Sequence, residues 1–229
     1  MVTQIENDTR FHGFPTRREV WSLGEHPIEM TWPANPDTLL DLPSTYERFA
    51  RNEYMPYWAQ PWPASVLLAE DILRGEPGRG REAVELGCGI GLVSVAAGLA
   101  GWRMTASDYD EDALAFAGLN ASRNGVTLAG QVRIDFVEQL PSRRFDAVFA
   151  ADILYERRLG RPVARWIAAA LKPGGYALIG DPNRSAADEF VTHAAENGLQ
   201  TTVSEATSTA PAGLLTRGRI WKVTPESVE

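Results

Sequence analysis

The carboxylates of this chain fall at spacings that chemistry can use. The run Val84-Glu85-Leu86-Gly87-Cys88-Gly89-Ile90-Gly91-Leu92 reads as the end of a buried strand, a glycine turn and the opening of a helix over 92–100. Gly87, Gly89 and Gly91 lack a Cβ, so the backbone there can turn sharply and admit a ligand against itself. Free N–H groups at the start of the next helix favour a polar or anionic group. Glu85, just before the turn, aims a carboxylate at the same place. Asp108 ends the following strand about 20 residues on, the spacing at which an acid grips ribose hydroxyls. Asp135 and Phe136 end a third strand; the acid either accepts a bond from an adenine amino group with the ring beside it, or is simply a turn carboxylate. Asp152 and Tyr155 end a fourth.

Several ligands use such a loop. A nucleotide P-loop needs a lysine after its glycines, and none follows here. The dinucleotide fingerprint Gly-x-Gly-x-x-Gly fits at Gly87 and Gly89, but Leu92 stands at the third glycine. Glu85-Leu86-Gly87-Cys88-Gly89-Ile90-Gly91 resembles the first motif of the seven-strand (class I) methyltransferases. That resemblance implies S-adenosylmethionine, with the glycine loop against its amino acid part and the preceding carboxylate serving its ammonium. A bare strand–helix turn requires fewer than three alternating glycines.

Methyl transfer from a sulfonium is an in-line displacement, so the protein's task is to position the nucleophile and exclude water. Asp152 is suited to hydrogen-bond an amine or steer an ammonium, and Tyr155 to offer a π face to a cationic centre; the plainer alternatives are helix capping and core packing. Asp152-Ile153-Leu154-Tyr155 resembles the Asp-x-x-Tyr motif of the family 16 methyltransferases, which include many protein lysine methyltransferases. Pro56-Tyr57-Trp58-Ala59-Gln60-Pro61-Trp62-Pro63 is similar to the aromatic segment preceding the first motif in that group. Ile179-Gly180-Asp181-Pro182-Asn183-Arg184 resembles a stretch of the enzymes that methylate lysines on the electron transfer flavoprotein β subunit. The resemblance runs from Pro56 to Pro182 and also touches sequences labelled nicotinamide N-methyltransferase-like. It implies Glu85, Gly87, Gly89 and Asp108 at the cofactor, with Asp135 and Phe136 at the adenine, and Asp152 and Tyr155 facing the acceptor; the aromatic segment itself is either a rigid loop packed on the sheet edge or brings Trp58 or Trp62 to wall the cofactor or substrate pocket. Asp181 reaches the acceptor or only holds the Pro182 turn. Ile153-Leu154 replaces the two prolines typical of nucleic-acid base methyltransferases at this point, which weighs against a base as acceptor.

The implied function is N-methylation of a protein lysine, with a small amine or heterocycle as the alternative acceptor. An NAD-dependent oxidoreductase and a non-catalytic binding protein remain as readings of other classes. With 229 residues, 44% hydrophobic and 23% charged, the chain has the length and composition of one soluble globular domain. No run approaches the ~20 apolar residues of a membrane span, and the first residues lack a secretory signal pattern. Cys88 is the single cysteine, so a cytoplasmic setting without an intrachain disulfide is expected. Cys88 itself reads as a small packing residue. His12, His26 and His193 are scattered, and no metal site is expected. A net charge of -8 argues against a broad nucleic-acid footprint. A monomer is expected.

The elements that must position these groups alternate. Strands are expected at 83–86, 102–107, 131–134, 145–151 and 176–180, separated by helices at 92–100, 111–124 and 161–171, the last stopped by Pro173-Gly174-Gly175. A helix over 186–197 precedes two closing strands at 201–205 and 219–224. This order implies an α/β fold: a single Rossmann-like, doubly wound, mainly parallel seven-stranded sheet with an antiparallel finish. Residues 1–55 form an N-terminal extension, with a hairpin over 19–32 and a short helix from a Ser44-x-x-Glu47 capping box. Residues 56–229 form the methyltransferase domain. Pro63 opens a further helix to about Leu73.

Overall fold

Short alternating runs make the first part of the chain a sheet. In the computed structural model, which describes residues 3–211, 213 and 215–226, β1 (Thr3–Phe11), β2 (Phe14–Leu23) and β3 (His26–Pro33) pair antiparallel in that order. The expected hairpin is the β2–β3 half, with Leu23 opposite His26. β1 adds a third strand at the edge. Its polar sequence shows little alternation, and its register on β2 breaks between Ile5 and Thr9.

Helix α1 (Pro43–Asn52) starts one residue before the expected cap. Leu42 is its N-cap, without a side-chain hydrogen bond, and Pro43 takes the first helical position. Proline's fixed φ suits that position, so Ser44 falls inside the helix and the expected capping box does not form. Helix α2 (Pro63–Arg74) opens on Pro63 as expected.

The core sheet uses β4 (Glu82–Leu86), β5 (Arg103–Asp108), β6 (Gly130–Arg133), β7 (Phe145–Ala151), β8 (Leu171–Asp181), β9 (Leu199–Ser208) and β10 (Thr216–Pro225). Its order is β6-β5-β4-β7-β8-β10-β9. β6, β5, β4, β7 and β8 run parallel, and β10 is antiparallel to both neighbours. Helices α3 (Leu92–Leu99), α4 (Glu111–Arg123), α5 (Gly160–Ala170) and α6 (Glu189–Glu196) complete the doubly wound arrangement. Trp166, Ile167 and Phe190 of α5 and α6 pack on one face of the sheet; Leu67, Leu68, Val93 and Ala97 of α2 and α3 pack on the other. One boundary differs from expectation. α5 ends at Ala170 and β8 begins at once, passing through Pro173-Gly174-Gly175 with a shift of register against β7. The proline and glycines make an irregularity in a strand, not the gap between helix and strand.

The N-terminal sheet is fastened to the core by asparagines. Asn120 accepts from Thr31 N at 2.8 Å and donates to Thr31 O at 2.9 Å. One turn along α4, Asn124 accepts from Glu29 N at 2.9 Å and donates to Glu29 O at 2.7 Å. Four helical residues rise about 6 Å and two strand residues about 6.8 Å, so the two periods match and α4 imitates a fourth strand. Trp21, Met30 and Trp32 join Ala113, Phe116 and Ala121 in one buried cluster.

Candidate active site

β4 has β5 on one side and β7 on the other, and its chain leaves by α3 toward β5 while β7 is reached by a later crossover. Ligands of doubly wound sheets lie off such a divergence of strand ends. The turn after β4 holds Gly87, Gly89 and Gly91 at φ +69°, +49° and +84°, conformations that suit glycine. A Cβ on Gly91 would lie 2.7 Å from Ala117 and one on Gly87 2.9 Å from Ile153 Cγ2. These two glycines therefore admit α4 and the loop after β7, while Gly89 meets Trp58 O only at 3.4 Å. Cys88 N donates to Ser107 O at 2.8 Å, locking the turn to β5.

A cavity of about 350 Å³ opens over this turn. Gly87, Gly89, Asp108 and Tyr109 line its inner end; Ala151, Asp152, Ile153, Tyr155 and Glu156 come from the end of β7, and Tyr57, Trp58, Trp62, Phe136 and Arg184 close it. Trp58, Gly87, Gly89, Asp108, Phe136, Asp152 and Tyr155, all expected from sequence, are brought together here. Asp108 is 5% exposed; it accepts from Gly89 N at 2.9 Å and Asp110 N at 3.0 Å. Burial pushes its carboxyl up to about 6 against the pull of these amides. Each carboxylate oxygen keeps a further lone pair for a ligand hydroxyl.

Glu85 and Asp135 stand elsewhere. Glu85 lies behind the turn, buried, and accepts from Ser94 Oγ of α3 at 2.5 Å; burial lifts its carboxyl to about 8. Asp135 accepts from Val137 N at 3.0 Å, as in a turn, and faces a neighbouring cleft with Arg48, Arg51 and Arg133. Cys88 is buried, its thiol pushed well up by that burial.

Asp152 is 8% exposed and sits at φ +58°, a costly conformation for a residue with a side chain. Its Oδ2 accepts from Ala64 N at 2.7 Å, so it caps α2 across 88 positions of sequence. Arg184 Nη1 lies 2.6 Å from Oδ1, an ion pair that occupies this buried oxygen. Burial raises the Asp152 carboxyl, opposed by Arg184. Asp181 is fully buried and does not line the cavity; it accepts from Arg184 N at 2.7 Å, with Arg184 Nη1 at 3.5 Å. Arg184 is the wall residue that sequence reasoning left without a role, although it closes the Gly-Asp-Pro stretch. Tyr57 and Tyr109 were likewise unassigned. Tyr109 directly follows Asp108, the one local signal for it.

The lining is acidic and aromatic: Asp108, Asp152 and Glu156 are its acids, and Arg184, its one basic residue, is taken up by carboxylates. A pyrophosphate would meet no free cation on this wall. A cofactor with a ribose, an ammonium and a sulfonium fits it better. Among the described residues, no set of His, Cys, Asp or Glu side chains gathers as metal ligands, and no helix is long and apolar enough to cross a membrane.

Comparison with known proteins agrees with this chemistry. A family described as "Methyltransferase domain" matches residues 84–179. The electron transfer flavoprotein beta subunit lysine methyltransferase of Danio rerio is 30% identical over 133 residues, covering 57% of this chain and 51% of that protein. The ribosomal protein L11 methyltransferase of Sorangium cellulosum is 35% identical over 114 residues, covering 49% of this chain and 35% of that one. The chain thus spans about half or less of these two relatives' length. A glycopeptide N-methyltransferase solved with S-adenosyl-L-methionine superposes with a TM-score of 0.55 at 15% identity, over 71% of this chain and 94% of that one; it shares the fold.

Proposed function

We propose, from the premise that residues 84–179 belong to the methyltransferase domain family, that this chain transfers a methyl group from S-adenosylmethionine to the nitrogen of a protein lysine. The observation that carries the reading is the acidic, aromatic cavity over the glycine turn, with Asp152 and Tyr155 beyond its inner end. The lysine acceptor is supported by the flavoprotein-subunit lysine methyltransferase among the relatives, and a subunit of an electron transfer flavoprotein is the first acceptor to try.

When bound, S-adenosylmethionine supplies an electrophilic methyl on a sulfonium. Asp108 accepts the ribose hydroxyls, and Gly87 and Gly89 let the backbone approach the amino acid part. Glu85, held by Ser94, supports the turn from behind. Phe136 and Tyr109 give apolar walls for a base. Asp152, on the cavity wall and paired with Arg184, places a carboxylate beside the path of the incoming amine and orients it. Trp58, Trp62 and Tyr155 keep water from the reacting atoms. The acceptor would reach the inner end of the cavity as the neutral amine, its proton already released to solvent at the exposed side near Tyr57 and Tyr155.

A second reading rests on a specific contact. Arg184 already answers the charge of Asp152, which also suits a neutral heterocyclic nitrogen. Methyl-labelled S-adenosylmethionine given to the purified protein with a matching lysate separates the two: label in a discrete protein band mapped to lysine is the expected result. Label confined to small molecules would transfer the assignment to the second reading. Tight NADH binding without S-adenosylhomocysteine binding, by calorimetry, would sink both.

A further inference from the structure

On the far side of Tyr109 a second cleft, of about 360 Å³, is lined by Arg48, Arg51, Tyr109, Arg133, Asp135 and Gln139. Tyr109 lines the cavity as well, so the two share a wall. Arg48 and Arg51 stand about one turn apart on α1, and Arg133 ends β6. The chain carries 30 acidic side chains against 22 basic ones, yet in this lining arginine outnumbers acid by three to one.

The three arginines are unevenly answered. Arg48 Nη1 donates to Asp110 at 2.9 Å, and its guanidinium lies over the Tyr54 ring. Arg133 Nε donates to Tyr109 O at 3.1 Å, while its Nη1 comes only to 4.0 Å from Glu111, a pair open to solvent on both sides and correspondingly weak. Among the described residues the side chain of Arg51 has no hydrogen-bond or ion-pair partner. Other exposed arginines do pair: Arg143 with Glu82, Arg157 with Glu189 and Arg161 with Glu196. Guanidinium groups turned into one cleft repel one another, and an anion between them relieves that cost. Their forked donors match a carboxylate.

We infer that this cleft is an anion subsite that receives an acidic side chain of the protein acceptor, with Arg51 and Arg133 supplying the open donors and Arg48 a fixed positive charge. This rests on the reading of the acceptor as a protein, and it adds a preference for acidic residues near the target lysine. Asp135 in the same lining, its Oδ1 held by Val137 N, repels a phosphate dianion more than a carboxylate. The net charge of -8 likewise opposes a run of phosphodiesters. Because cavity and cleft meet at Tyr109, and extended chain advances about 3.3 Å per residue, an acid a few positions from a lysine in the cavity can reach the arginines.

The test uses the full chain saturated with S-adenosylhomocysteine and two fluorescent peptides of equal length, each with a central lysine, one flanked by glutamates and the other by glutamines. Binding is followed by anisotropy. At low ionic strength the acidic peptide should bind about fivefold more tightly, the range of a partly exposed ion pair, and added salt should narrow the difference. Arg51→Glu should abolish the preference, whereas Arg165→Glu, the same charge reversal outside the cleft, should keep it. Equal S-adenosylhomocysteine affinity in the three proteins confirms that each is folded. Equal affinity for the two peptides, no binding of the acidic one, or an Arg51→Glu variant that discriminates as the parent does would overturn the proposal. Displacement of the acidic peptide by inorganic phosphate at matched ionic strength would overturn it in favour of a free phosphate, and tighter binding of a single-stranded oligonucleotide in favour of nucleic acid. Methyl label confined to small molecules in the lysate would count instead against the protein acceptor; a lysine-labelled band with equal affinity for the two peptides would remove the anion subsite alone.

Discussion

At the scale of single residues, Asp152 and Asp108 are acids of one cavity with different tasks. Asp152→Asn keeps an acceptor for Ala64 N and tolerates positive φ better than other residues, so the fold should persist. Transfer should fall at least about 100-fold, as expected when a positioned acceptor for the nucleophile is lost, with S-adenosylhomocysteine affinity nearly unchanged. Asp108→Ala should instead weaken that affinity about tenfold or more, the cost of a charge-assisted hydrogen bond. Loss of cofactor affinity in Asp152→Asn would mean that Asp152 does not face the acceptor. Glu85 makes a pH prediction. Its carboxyl is raised to about 8 from 4.5, and that of Asp108 to about 6 from 3.8. The folded state therefore binds protons more tightly than the unfolded one. The stabilisation is fully present below the unfolded values and is lost as pH rises through the folded ones. The unfolding free energy of the ligand-free protein, from denaturant titration, should fall between pH 5 and 8.5 by on the order of 5 kcal/mol, and Glu85→Gln should flatten the fall; an unchanged slope would remove Glu85 as its source. Acids at strand ends announced themselves in the sequence because the βα turn fixes where such a residue lies. Arg184 did not, because its role depends on β8 bringing it back to Asp152, a neighbourhood that spacing along the chain does not encode. Nor did spacing distinguish Asp108, which turns into the cavity, from Asp135, whose local turn takes it away.

At the scale of elements, the glycine turn separates backbone need from space. Gly91→Ala must place a methyl against Ala117 at 2.7 Å while holding φ +84°, so it should cost about 2–4 kcal/mol in chemical denaturation. Gly89→Ala meets its nearest neighbour only at 3.4 Å. Its cost should be nearer 1 kcal/mol, the left-handed penalty alone, and its larger effect should be on cofactor affinity. Equal destabilisation by the two would contradict this division. The alternating strands and helices from β4 to α4 were legible because each is a short apolar run between glycine or capping signals. β1 was not, because its sequence Thr3–Phe11 is mostly polar and lacks the apolar alternation that marks a half-buried strand. Pro173-Gly174-Gly175 looked like a boundary, yet Gly175 lies against Phe145 O and Asp146 O of β7, so tertiary pairing carries the strand through it.

At the scale of the whole molecule, the N-terminal sheet and the cavity are mechanically joined. Phe14 of β2 packs edge-on to Trp58 at 5.8 Å, and Trp58 lines the cavity. Asn120 is fully buried and also donates to Ile90 O at 2.8 Å, next to the glycine turn. Asn120→Ala strands those backbone groups and should cost about 2–4 kcal/mol, lowering S-adenosylhomocysteine affinity along with the melting temperature. A full loss of stability with cofactor affinity intact would show that the two regions are independent. Asn124 is less buried, and its removal should cost only about 1–2 kcal/mol. The amide pair has a further effect, on colloidal behaviour. A bare strand edge is a template for another chain, and on β3 that template is already occupied by side chains that cannot propagate a sheet. Asn124→Ala uncovers the donor and acceptor of Glu29 while leaving the chain folded. Light scattering should therefore register concentration-dependent association of this variant well below its melting temperature, a failure of solubility that precedes any failure of folding.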